Sequence, residues 1–176
     1  MSRHLAPSIP NVLPGTLADW RRSLGSHYLR LEDTSRQRRF MAVQTDQTTR
    51  MIANKANPDI VLGIKADGRL VGVLEIFKGL AQHAEIGISV EDAYQGRGLG
   101  KALFIDGLAV AKRTGVRTAD LYFTSENLGI RRLINEAGGF IVRHGPTCEA
   151  HIDITQYQAC TDAPENGAPV FLSETT

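Results

Sequence analysis

A chain of 176 residues with 42% hydrophobic content has material for one ordinary core and not for two. Its 20 Lys and Arg against 19 Asp and Glu leave a net charge of +1, which excludes a protein that gains affinity by neutralising many phosphates along a nucleic acid. Cys148 and Cys160 are the only cysteines, without CxxC spacing or a matching His cluster, which excludes a disulfide framework and a structural zinc site and leaves two inert thiols.

Residues 1–15 hold prolines and a glycine but no continuous apolar stretch, so they read as an N-terminal extension and not as a secretory signal. No later segment is long and apolar enough to span a bilayer. The cytoplasm is the expected location, neither membrane nor nucleic acid is an expected partner, and a homodimer is compatible with the sequence. A single domain is expected over 16–157, followed by a mobile tail, 158–176, rich in Pro, Gly and polar residues.

Within the domain, Leu17, Trp20, Leu24 and Tyr28 recur at helical spacing behind Thr16, a residue able to cap, and predict a helix over Thr16–His27. A second helix is predicted over Thr34–Asn54, ending before Asn57 and Pro58. Asp59–Lys65 and Arg69–Phe77 are rich in Val, Ile and Leu, and Ala66, Asp67 and Gly68 between them signal a hairpin. HAEIGISV is the next strand, and the glycines after it lead into a helix from near Gly98 whose apolar stripe includes Leu99, Ala102, Leu103, Ala109 and Val110. A strand over Arg117–Thr124, a helix over Asn127–Glu136, a break at Gly138 and Gly139, a strand from Phe140 and a last strand over Glu149–Ile154 complete the order. Two helices, three antiparallel strands, then helix, strand, helix and two strands describe a mixed sheet of the α/β (α+β) class with helices on both faces.

The most informative segment is Gln95-Gly96-Arg97-Gly98-Leu99-Gly100-Lys101. Alternate glycines let successive amides face one concavity, and the helix N-terminus behind them favours an anion such as a pyrophosphate. The spacing is not GxGxxG, because Lys101 stands where the last Gly would be, and it is not a P-loop, because it is one residue short and lacks the Ser or Thr for magnesium.

Gln95, Gly98 and Gly100 satisfy the pattern Q/R-x-x-G-x-G/A, and the segment resembles the coenzyme A signature of the Gcn5-related N-acetyltransferases (GNAT). The resemblance spans roughly Asp59 to Ile154, since AEIGISV, GLGKALFIDGLAVAKR, RTADLYFT, Asn127 and Gly139-Phe140 follow in the family's order. It implies a mostly antiparallel twisted sheet splayed between the family's fourth and fifth strands, with acetyl-CoA in the gap as cosubstrate and no metal. It further implies cofactor binding by Gln95 and by the amides of Gly96, Arg97, Gly98, Leu99, Gly100 and Lys101, which take the pyrophosphate, pantetheine against the backbone of Ile88, Ser89 and Val90, and Asn127 on the pantetheine or cysteamine part. A plain helix cap is the competing role for Asn127, and the two are compatible.

The same resemblance makes Glu85 the candidate general base, with Gly87 leaving space on the same strand face. Amides near Ile88 or Ser89 would hold the oxyanion, given the strand bulge usual in the family. Many relatives carry a Tyr seven residues beyond the Asn, where this chain has Ile134; Tyr94 and Tyr122 read as packing aromatics, which leaves the acid unassigned. His83, His144 and His151 read as surface or structural residues. Arg36, Arg38 and Arg39, after Arg21, Arg22 and Arg30, could recruit an acidic acceptor, although a solvated helix face beside Glu32 and Asp33 is the expectation. The predicted activity is N-acetyl transfer to an amine, either a protein lysine or a small amine, with a non-catalytic acyl-CoA sensor as the alternative. The lysine option follows from HYLRLEDTSRQRRF, which resembles the early region of a bacterial subgroup that acetylates protein lysines.

Overall fold

The computed structural model describes residues 17–157. Thr16, the extension over 1–15, the tail over 158–176 and Cys160 lie outside the described residues, while Cys148 is a buried free thiol. Helix α1 (Leu17–Arg30) is followed by α2 (Asp33–Phe40) and α3 (Asp46–Lys55), so three helices precede the sheet where the sequence predicted two. The predicted Thr34–Asn54 helix is broken because Met41 takes the left-handed conformation, φ 55°, that closes α2, and Thr45 then caps α3 by accepting from the Thr48 amide.

Strands β1 (Ile60–Ala66) and β2 (Arg69–Lys78) form the predicted hairpin. Asp67 and Gly68 both have positive φ, 52° and 76°, as a two-residue turn matching strand twist requires. Strand β3 (His83–Val90) returns antiparallel to β2, and a 3₁₀ turn at Asp92–Tyr94 leads through the glycines into α4 (Leu99–Arg113). Then come β4 (Thr118–Thr124), α5 (Leu128–Glu136), β5 (Phe140–His144) and β6 (Thr147–Asp153). The sheet order is β1-β2-β3-β4-β6-β5, antiparallel throughout except between β3 and β4.

Alternation along the strands gives the sheet two buried faces. One packs Leu62, Leu74, Ile76, Ile86, Leu121 and Phe123 against Leu103, Phe104 and Leu108 of α4 and Ile130 and Ile134 of α5. The approach of α4 is close: a methyl group on Gly107 would lie 2.6 Å from Leu74 Cδ1. The other face sets Val61, Val73 and Leu70 against Trp20, Leu24 and Tyr28, the helical stripe of α1, with Leu31 just after it and Ala53 of α3. No helix among the described residues is long and apolar enough to cross a membrane.

The feature that positions the site is where the parallel pairing stops. β3 and β4 pair only through His83–Glu85 against Thr118–Asp120, and beyond that the sheet opens.

Candidate active site

The opening widens into a cavity of about 680 Å³, walled by β3 from Glu85 to Val90, by Leu121–Phe123 of β4, by the glycine loop, by α5 and by Ser35, Arg38 and Arg39 of α2. Two bonds fix which backbone groups of β3 face it: Glu91 N donates to Val71 O at 2.9 Å, and Gly79 N to His83 O at 2.8 Å. Antiparallel alternation then turns the amides and carbonyls of Glu85, Gly87 and Ser89 toward β2 and those of Ile88 and Val90 toward the gap. The Val90 carbonyl accepts from Gln95 Nε2 at 2.9 Å, which leaves the polar backbone of Ile88 open to a ligand. The register from Gly72/Val90 to Lys78/Ala84 is unbroken, so β3 lacks the bulge the family resemblance implied; the only irregularity in these pairings lies at Ile64/Lys65 of β1. Ser89 is therefore turned from the gap by its backbone, and its hydroxyl meets His27 Nε2 at 3.0 Å.

The glycine loop has the form an anion needs. Gly96 and Gly98 hold φ of 71° and 82°, with open space where a Cβ would stand. Gly98 caps α4 with no side-chain hydrogen bond, and no acidic residue lies in the first turn, so the amides there meet no competing carboxylate from that turn. Gln95 holds the loop: its amide donates to Val90 O and to Ser35 Oγ at 3.2 Å, tying the turn to β3 and α2. The Arg97 side chain folds back onto Ala93 O at 2.8 Å and over the Tyr94 ring, outside the cavity wall. Lys101 reaches Glu136 of α5 at 2.8 Å and holds that carboxyl below its ordinary range. Asn127 caps α5, its Oδ1 accepting from Ile130 N at 3.2 Å, and still lines the cavity, leaving its amide donors for a ligand. Ile134 is fully buried in the core, so that position of α5 faces away from the gap.

At the far end Glu85 is exposed on the cavity wall, with no hydrogen bond or ion pair among the described residues. Beside it Tyr122, also a wall residue, donates to Glu149 Oε1 at 2.9 Å, and that bond to a carboxylate pushes the phenol up to about 12. Asp120, opposite Glu85 in the parallel register, meets His83 at 3.2 Å and His151 at 2.7 Å. Asp120, Glu149 and His151 bring ligand atoms within 4.8 Å of one another, a metal-capable grouping that residues so far apart in sequence did not disclose.

The α2 wall corrects two expectations. The space beside Gly87 is filled: a Cβ there would stand 2.2 Å from Arg39 Nη2. The arginines do not form one solvated face: Arg22 is exposed, but Arg36 is buried and paired with Asp46 at 2.7 Å, and Arg30 and Arg39 pair with Glu91 and Glu75, each at 2.7 Å. Glu75 is buried and its Oε2 also accepts from the Tyr28 hydroxyl, whose pKa burial holds well above its usual range. Glu75, buried and paired in this way, does not line the cavity. Arg38 alone of these arginines lines the cavity without a partner among the described residues.

Comparison with known proteins follows the same lines. The sequence model described as the acetyltransferase (GNAT) family matches residues 19–140. No curated protein sequence matches the chain significantly. The fold is similar to the GNAT domain of S. lividans PAT, with a TM-score of 0.64 and 21% identity, covering 82% of this chain and 88% of that one. An acetyltransferase of the same family from Bacillus anthracis matches with a TM-score of 0.61 and 16% identity, over 82% and 95% of the two chains. PaiA N-acetyltransferase of Thermoplasma acidophilum, solved in complex with coenzyme A, matches with a TM-score of 0.59 and 16% identity, over 81% and 98%. At these identities the likeness is one of fold.

Proposed function

The chain belongs to the acetyltransferase (GNAT) family, and from that premise we propose that it transfers the acetyl group of acetyl-CoA directly to an acceptor amine, with Glu85 as base. The observation that carries this reading is the parting of β3 and β4 beside a helix start that has no side-chain cap. The amides of Gly96 to Lys101 hold the pyrophosphate, and the helix dipole favours its charge. Ile88 offers its amide and carbonyl to the peptide-like pantetheine and to the thioester oxygen, and Asn127 donates its carboxamide. Gln95 and Arg97 shape the loop, Gln95 through its bonds to Val90 and Ser35 and Arg97 by folding onto Ala93.

Glu85 draws a proton from the acceptor ammonium, directly or through one water, and the freed amine attacks the thioester carbon. The N–C bond forms, the C–S bond breaks, and CoA leaves as a thiolate. With an ordinary thiol pKa of about 8.5, such a leaving group departs without a dedicated acid, consistent with Ile134 at the position where relatives carry a Tyr. The acceptor is a protein lysine or a small amine. Calorimetry with CoA and an assay of thiol release from acetyl-CoA with amines and lysine peptides test the reading. CoA should bind to the wild type and at least 10-fold more weakly to Gly98→Val, whose backbone would be strained at φ 82°. Tight CoA binding with no amine acetylated would favour the sensor instead.

A further inference from the structure

The cavity is lined by two opposite charges that do not meet. Glu85 on β3 and Arg38 on α2 both line it, and neither has a hydrogen bond or ion pair among the described residues. The Arg39 guanidinium lines the same cavity, seated on Gly87 with Nη2 2.2 Å and Nη1 3.1 Å from the place a Cβ would take. Nη2 is committed to Glu75 at 2.7 Å and to the Tyr28 hydroxyl at 3.3 Å, whereas Nη1 has no partner among the described residues. The arginine is thereby fixed in direction, with a free nitrogen beside the cavity.

From this geometry we propose that the acceptor is a small zwitterion, an α-amino acid or close analogue, with its ammonium at Glu85 and its carboxylate at Arg38 and Nη1 of Arg39. The proposal rests on the acetyltransferase reading and on Glu85 as its base. Gly87 is two residues from Glu85 on the same strand face, about 7 Å away. An α-amino acid separates its ammonium and carboxylate by one carbon, so with a hydrogen bond of about 2.8 Å at each end it bridges groups that are neighbours on one strand face. Planar, forked guanidinium groups match a carboxylate in a way that a single ammonium does not. A diamine of the same length would instead bring a second positive charge against Arg38 and Arg39. A lysine within a peptide carries no anion at this separation from its amine.

The test uses the full chain, acetyl-CoA and thiol release, comparing L-amino acids with their methyl esters and with the decarboxylated amines. The ester is the better nucleophile at neutral pH, because more of its amine is unprotonated, so a preference for the acid reflects the site. The kcat/KM for the preferred amino acids should exceed that for their esters at least 10-fold. Arg38→Gln should collapse the ratio toward 1 through KM, and Arg38→Lys should keep part of it, with CoA calorimetry reporting that each variant is folded. Esters or amines used as well as the acids, or a ratio that survives Arg38→Gln, would overturn the proposal. Turnover confined to blocked lysine peptides would overturn it and leave the acetyltransferase reading standing. CoA binding with no acceptor of any kind acetylated would remove both.

Discussion

Glu85 is exposed on the cavity wall, and its side chain makes no hydrogen bond or ion pair among the described residues. A primary amine with a pKa near 10 is almost wholly protonated at pH 7, so a positioned base is worth roughly 100-fold or more. Glu85→Gln should lower kcat by about that factor at pH 7 while CoA affinity measured by calorimetry stays within about 2-fold. The defect should shrink as pH rises and solvent does the deprotonating; full activity of the variant at pH 7 would remove Glu85 from the reaction. Gly87 makes a different demand, since the Arg39 guanidinium occupies the volume a methyl group would need. The end of an arginine swings aside at little steric cost, but it would leave Glu75, which is 1% exposed, without its cation. Gly87→Ala should therefore destabilise by about 3 kcal/mol in urea unfolding, the cost of breaking a buried pair. Adding Glu75→Gln, which removes the buried charge, should recover part of that loss.

Helices α1 and α2 are held to β3 and the turn after it by side chains from both partners. His27 meets Ser89 and Glu91, Arg30 pairs with Glu91, and the Glu32 amide donates to Asp92 at 2.9 Å. Burial alone would raise the Glu91 carboxyl, but hydrogen bonds from His27 and Arg30 outweigh it and hold the group below its ordinary range. A depressed folded-state pKa means that this contribution is present above the unfolded value, about 4.3, and is lost as pH falls through the folded one. Glu91→Gln should be less stable than the wild type by about 2 kcal/mol at pH 7. Denaturant titrations should show that difference closing as pH falls from about 4.3 through the depressed value, and a constant difference would deny Glu91 this role. Within these helices the stripe of Trp20, Leu24 and Tyr28 was legible because a helix face is a local pattern. The break after Phe40 was not, because Met41 is not a residue type that signals a left-handed turn, and Thr45-Asp46 reads as a start signal only once the run before it is known to have stopped.

At the scale of the molecule, the succession of strands along the chain, the hairpin at Asp67-Gly68 and the glycine loop could be read from sequence, since each depends on residues close together in the chain. The two walls of the acceptor end could not. Arg39 finds Glu75 36 positions away and His27 finds Ser89 62 positions away, and no spacing rule joins such pairs. The direction of Ile134 is a matter of helix phase, settled by packing against Gly139 and Ile152.

Because β3 and β4 part after three residues, the sheet has four edges, two of them in the interior of the protein. Unpaired strand edges recruit strands from other chains, and proteins ordinarily cover them. Here the covering falls to α2, α4 and α5 on the cavity walls, so a chain in which those helices have not docked exposes the inner edges. A CoA molecule lying along Ile88 would satisfy the same backbone groups and close that route to association. Refolding from urea at tens of micromolar protein should give less light scattering and a higher yield with saturating CoA than without it. Gly98→Val should gain little from the same addition, and equal yields with and without CoA in the wild type would show that the inner edges are guarded by the helices alone.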